Sequence, residues 1–196
     1  MAEINDPTRR DIIAETAFNV ATLRFLATGM AYSEILETAE SVATVQLEAL
    51  RNRYAKEKIS PLNTTEIEEV DRAQNRIYEF GLKINHNNNL IFKPTFSGHG
   101  FIHLCEGDLR TDREIVEFKY VSRNFRSSDL KQTLVYCCLN FFEDKNSFER
   151  IILVNPFRGA ILEVRTDELV NACGGVSFDE FAYRFSYYVC SGDVSR

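Results

Sequence analysis

The feature that most limits the fold is a change of period near residue 90. Before it, apolar residues recur at three- and four-residue spacing, as on amphipathic helices. After it come short runs dense in Ile, Val, Phe and Tyr, bounded by Gly, Asn, Pro or charge, which read as strands. Asp6-Pro7 opens a first helix running to about Thr28 through Ile12, Ile13, Phe18, Leu23 and Leu26, with Gly29 as its stop. A second helix is predicted from Ser33 to about Lys58 on Leu36, Ala39, Ala43, Leu47, Leu50 and Tyr54, with Pro61 beyond it as a breaker. Thr65 and Glu68 form a capping box for a third, whose stripe of Ile67, Val70, Ile77 and Phe80 is closed by Gly81.

Three strand-like runs follow: LIFKPTF, GFIHLCEGDL and EIVEFKYV. Next, SSDLKQTLVYCCLNFFED reads as a helix capped by Ser128 or Asp129, with Leu130, Leu134, Cys137, Cys138 and Phe141 on one stripe. ERIILVNPF and AILEVRT are two more strands, and SFDEFAYRFSYYVC is a closing helix. Strands on both sides of a helix imply an α/β fold with a central mixed sheet flanked by helices. Residues 1–60 read as an N-terminal helical extension and residues 61–196 as the α/β domain.

Composition narrows the classes. With 196 residues, 44% of them hydrophobic, the chain can bury a core without staples. No run approaches the roughly 20 apolar residues of a membrane span, and MAEINDPTRRD is polar, so the expectation is a soluble cytoplasmic protein without a membrane partner. The five cysteines contain no CxxC pair and read as reduced, mostly buried thiols. His99 and His103 have no third ligand placed beside them, and His103 reads as structural. A net charge of −6 argues against coating nucleic acid through overall positive charge, yet leaves room for local contact.

The segment that carries chemistry is Gly107-Asp108 at the end of one strand and Glu117-Phe118-Lys119 inside the next. Alternation puts Glu117 and Lys119 on one face and Phe118 on the other. A symmetric hairpin through Thr111, Asp112, Arg113 and Glu114 sets Asp108 opposite Glu117. Opposed residues there have β-carbons about 4.5–5.5 Å apart, and two like charges need a compensating cation. Mg²⁺ or Mn²⁺ suits such oxygen ligands, and Lys119 would stand beside it on the same face. Gln132 and Tyr136, four apart, share one helical face. The bland reading is an acid and a Glu-x-Lys on a solvated strand.

Asp108, Glu117-Phe118-Lys119 and Gln132-Thr133-Leu134-Val135-Tyr136, in this order, resemble the RecB-like branch of the PD-(D/E)xK nuclease superfamily. The resemblance covers about Thr65 to Val164 and does not extend to the first helices. It implies a restriction-endonuclease-like core and phosphodiester hydrolysis, in DNA rather than RNA. Asp108 and Glu117 would be metal ligands, the Phe118 carbonyl a further ligand, and Lys119 the group at the attacking water. Gln132 and Tyr136 would lie near the scissile phosphate or the strand. Relatives often add an acid from the preceding helix, for which Glu79 is the first candidate, with Glu69 and Glu68 behind it. No cysteine precedes Cys105, so the iron–sulfur cluster of some relatives is not expected.

Arg123, Phe125, Arg126 and Lys131, beside the triplet, are candidates for phosphate and base contacts, with a solvated loop as the plain alternative. The competing functional reading is a catalytically silent nuclease-fold subunit that binds nucleic acid or assembles in a larger defence or repair complex. The N-terminal helices are the expected surface for a homo-oligomer or such a complex.

Overall fold

A computed structural model of the chain describes residues 9–26, 29–51, 58–85, 89–144 and 146–191. The chain divides into two compact units. The first holds α1 (Arg10–Phe25), α2 (Tyr32–Arg51) and α3 (Thr64–Ile84), together with Tyr120–Ser122 and Pro156–Gly159. Within that unit α1 packs against both α2 and α3. The Asp6-Pro7 start, Thr28 and Tyr54 lie outside the described residues.

In α2 the buried seam is Ile35, Ala39, Ala43 and Leu47, a strict four-residue repeat. Leu50, expected on that seam, is 63% exposed, and Val42 and Val45 are exposed with it. The cap of α3 sits two residues before the expected Thr65–Glu68 pair. Asn63 Oδ1 accepts from the Glu66 amide at 3.0 Å, and Glu66 Oε2 accepts from the Asn63 amide at 2.9 Å. This reciprocal pairing satisfies two amides that the helix start leaves without partners. Arg9 adds an ion pair to the buried Glu66 at 2.7 Å and donates to the Pro61 carbonyl, so the same carboxylate fixes the turn before the helix. Gly81 does not stop α3; it is buried inside the helix, which continues to Ile84.

The second unit contains a five-stranded mixed sheet in the order β1 (Ile91–Phe92), β4 (Leu109–Arg110), β5 (Glu114–Phe118), β6 (Arg150–Asn155) and β7 (Ala160–Arg165). A separate pair joins β2 (Thr95–Phe96) to β3 (Cys105–Glu106). Two of the three long runs read as single strands are broken. Lys93, with φ of 50°, and Pro94 split the first run, and Gly107-Asp108 splits the second. Proline has no amide to continue a ladder. Two bonds nevertheless carry the ribbon across the kink, Lys93 N to the Asp108 carbonyl and Gly107 N to the Pro94 carbonyl, each at 2.9 Å. A β-carbon on Gly107 would meet the Phe96 ring at 3.2 Å and the Tyr136 ring at 3.5 Å, so any larger residue at this bend would press on the Phe96 ring.

The β4–β5 hairpin has the symmetric register expected of it, Leu109 opposite Val116 and Arg110 opposite Ile115. Its turn is tied by Thr111, whose Oγ1 accepts from the amides of Arg113 and Glu114. From β5 the chain passes through α4 (Ser127–Asp144) to β6, which runs parallel to β5, while β7 returns antiparallel. Buried on both sides, β5 and β6 carry Ile115, Val116, Ile151, Leu153 and Val154 into the interior. Tyr136, Cys137, Leu139 and Phe141 of α4 meet that layer.

The chain ends in two helices where one was expected. These are α5 (Thr166–Gly174), closed by Gly175 in the left-handed region, and α6 (Phe178–Ser191). Of the five cysteines, only Cys137 and Cys138 are buried; Cys105 is half-buried, and Cys173 and Cys190 are exposed. Among the described residues, no helix is long and apolar enough to cross a membrane.

Candidate functional site

The sheet delivers a buried acid beside an amine. Glu117 lies in the interior strand β5 and is 5% exposed. Lys119, just past the strand end, is held in line because its amide donates to the Val154 carbonyl at 2.7 Å. Lys119 Nζ then stands 2.8 Å from Glu117 Oε1. The alternation expected of these two positions therefore holds.

Asp108 sits at the bend between β3 and β4 rather than inside a strand. Its Oδ2 accepts from the Phe118 amide at 2.7 Å, taking the place of a backbone acceptor where the β4–β5 ladder stops. In an extended strand, the amide and carbonyl of one residue point to the same edge. The Phe118 carbonyl accordingly lies on the edge that Asp108 occupies.

From α4, Gln132 reaches both members of the pair. Its Oε1 accepts from Lys119 Nζ at 2.7 Å, and its Nε2 donates to Glu117 Oε1 at 2.8 Å and to the Tyr136 hydroxyl at 2.7 Å. Tyr136 passes its own proton to the Glu106 carbonyl at 3.1 Å. Its ring is buried and stacks on Phe96, with centroids 5.1 Å apart. Tyr136 is therefore part of the core as well as of the polar group.

Electrostatics follow from this burial. Removal from water pushes the Glu117 carboxyl above its ordinary value. The Lys119 charge and the bonds from Lys119 and Gln132 oppose that rise, and the Asp129 charge adds to it. Burial also raises the Tyr136 phenol, and the charges of Glu117 and Asp108 raise it further. One hydroxyl thus feels both acids. Glu117 Oε2 is buried and has no hydrogen-bond partner among the described residues. The candidate oxygen donors for a cation are these two carboxylates and the Phe118 carbonyl. Among the described residues, no three His, Cys, Asp or Glu side chains form a metal-binding group.

The loop before α4 is more ordered than a solvated basic run. Arg123 makes a two-pronged pair with Asp129, at 2.7 and 2.9 Å, and Asp129 Oδ2 also accepts from the Arg126 amide at 2.9 Å. Asp129 thus closes the helix start from its third position, with Ser127 already helical, instead of standing ahead of the helix as a cap. The hydrogen bond from Arg123 lowers the Asp129 carboxyl to about 2 against the opposing effect of burial; the Lys119 charge also lowers it. From sequence Asp129 reads only as a candidate cap; its pairing with Arg123 was not foreseen, although an acid in the first turn after a basic loop was the available signal. Phe125 is half-buried, whereas Arg126 and Lys131 are exposed.

The helix acids separate clearly within the helical unit. Glu79 and Glu68 are exposed on α3. Glu69 is buried, pairs with Arg72, and accepts from the Tyr120 hydroxyl at 2.5 Å. Tyr120 is the residue after Lys119 in the chain. His99 stacks on Phe142 and bonds to Ser186 at 2.7 Å, a structural setting, and His103 is exposed.

No protein-family model matches the chain, and no curated protein is similar to it in sequence.

Proposed function

We propose that this chain is a Mg²⁺- or Mn²⁺-dependent nuclease of the PD-(D/E)xK type that hydrolyses phosphodiester bonds in DNA. The observation that carries the reading is Glu117. It is a buried carboxylate with one oxygen held by Lys119 and Gln132 and the other without a hydrogen-bond partner among the described residues, and the carboxylate of Asp108 accepts from the amide of the next residue, Phe118. A buried carboxylate oxygen without a donor is costly, and ligation by a cation relieves that cost. The order of Asp108, the Glu-x-Lys triplet and Gln-xxx-Tyr, with its likeness to RecB-like nucleases, gives the reaction class. A mixed sheet flanked by helices is compatible with the restriction-endonuclease-like core which that likeness implies.

In this reading Asp108, Glu117 and the Phe118 carbonyl hold the cation. When bound, it supplies positive charge against the phosphate and acidifies a water. Lys119 is fixed by its two acceptors and donates to the attacking water or to the charge that grows on the phosphate oxygens. Water adds to phosphorus, the P–O bond breaks, and the products are a phosphomonoester and a hydroxyl end. Arg126 and Lys131 are exposed beside the start of α4, where they meet the nucleic-acid backbone. Arg123 would approach the strand as half of its pair with Asp129.

Purified chain with Mn²⁺ should cleave labelled DNA. Lys119→Ala should slow cleavage by about 10²–10³-fold, the usual loss of a donor to developing negative charge. Salt-sensitive DNA binding without cleavage in any metal, with the mutant indistinguishable from wild type, would point instead to a silent nuclease-fold subunit.

A further inference from the structure

We infer that Gln132 is a positioning residue for the cation rather than a substrate contact: by filling Glu117 Oε1 it leaves Oε2 as the oxygen that binds the ion. The inference rests on the nuclease reading above and gives two of its residues a different task.

The chemistry of the amide settles its orientation. An ammonium only donates, so the end of Gln132 that faces Lys119 Nζ at 2.7 Å must be the carbonyl oxygen. Nε2 is then turned to two acceptors, Glu117 Oε1 at 2.8 Å and the Tyr136 oxygen at 2.7 Å. Tyr136 can accept there because its proton goes to the Glu106 carbonyl at 3.1 Å. A flipped amide would set donor against donor at Lys119 and acceptor against acceptor at Glu117. Donation therefore runs in one direction, from the amine beyond β5 to the carbonyl at the end of β3.

Two consequences follow for Glu117. Its Oε1 has a pair of donors, Lys119 and Gln132, while Oε2 is buried with none among the described residues. The carboxylate cannot turn to exchange its oxygens without breaking both bonds. A proton on Oε2 would offset one negative charge, but Asp108, whose Oδ2 accepts from the amide of the neighbouring Phe118, brings a second. One divalent cation offsets both. Each polar end of the Gln132 amide is already engaged within the protein, so the group acts through Glu117 and Lys119.

The test is a Mn²⁺ titration of the full chain without nucleic acid, following free Mn²⁺ by electron paramagnetic resonance. Gln132→Met keeps the volume and removes the bonds; it should weaken Mn²⁺ binding about 10- to 100-fold, as loss of a group that orients a ligand does. Tyr136→Phe removes one acceptor of Nε2 and should weaken it less. At saturating Mn²⁺, the KM of Gln132→Met for a DNA oligonucleotide should equal that of wild type. Wild-type Mn²⁺ affinity together with a raised KM would make Gln132 a substrate contact and overturn the inference while leaving the nuclease intact. If Gln132→Met fails to fold by circular dichroism, Tyr136→Phe decides between the same two outcomes. If Glu117→Gln binds Mn²⁺ as well as wild type does, the cation site itself fails and the nuclease reading with it.

Discussion

At Glu117 burial and charge pull in opposite directions, and burial prevails. Removal from water raises the carboxyl more than Lys119 and Gln132 lower it. The sign for stability follows from linkage. With a folded pKa above the unfolded one, the native chain binds the extra proton in the window between them. The stability contribution is greatest below the ordinary carboxylate value and declines as pH rises through the folded value. Glu117→Gln mimics the protonated form and keeps an acceptor for Lys119. It should therefore melt above wild type at neutral pH, by roughly 2–4 °C for each 1 kcal/mol relieved, and the gap should close on acidification. Melting curves from mildly acidic to neutral pH check this; a gap that ignores pH would mean that the charge on Glu117 is not the cause. The same variant should lose Mn²⁺ affinity, setting stability against ligation at a single residue.

Among the elements, the caps and kinks carry the information that periodicity does not. The α3 stripe was legible, but its start was not, because Thr65–Glu68 and Asn63–Glu66 both satisfy the spacing of a capping box. Arg9, distant in sequence, pairs with Glu66 and favours the earlier register. Asn63→Ala should cost about 1 kcal/mol, as loss of a helix cap does, whereas Thr65→Ala, at an exposed position, should cost little. Denaturant melts of the two variants decide the register, and equal effects would refute it. The β4–β5 pairing was legible because the turn residues and the apolar alternation agree on one register. The breaks at Lys93-Pro94 and Gly107-Asp108 were not, since an apolar run looks continuous in sequence even where its backbone bends. The bend moves Asp108 out of the strand and turns its carboxylate onto the Phe118 amide, a contact that pairing rules alone do not give. Tyr136 was legible as a neighbour of Gln132, but its stacking on Phe96 depends on how the ribbon folds over α4.

For the whole molecule, the division into two compact units determines how a bound ion would show itself. Asp108, Glu117, Lys119, Gln132 and Tyr136 all belong to the α/β unit. An ion that binds only the folded state stabilises it by mass action, about 2.7 kcal/mol at a concentration 100 times its dissociation constant. For a chain of 196 residues, that corresponds to a rise in Tm of roughly 5–10 °C. A net charge of −6 also draws Mn²⁺ weakly to the surface, so a shift alone does not locate the ion. The control is the Asp108→Asn, Glu117→Gln double variant, which alters two of the 29 acidic residues and both proposed carboxylate ligands. If the two units melt separately in calorimetry, Mn²⁺ should move the transition of the α/β unit and leave that of the helical unit in place. If they melt as one, the single transition should move. In either case the double variant should lose most of the shift, and a shift that survives in it would put the ion elsewhere on the acidic surface.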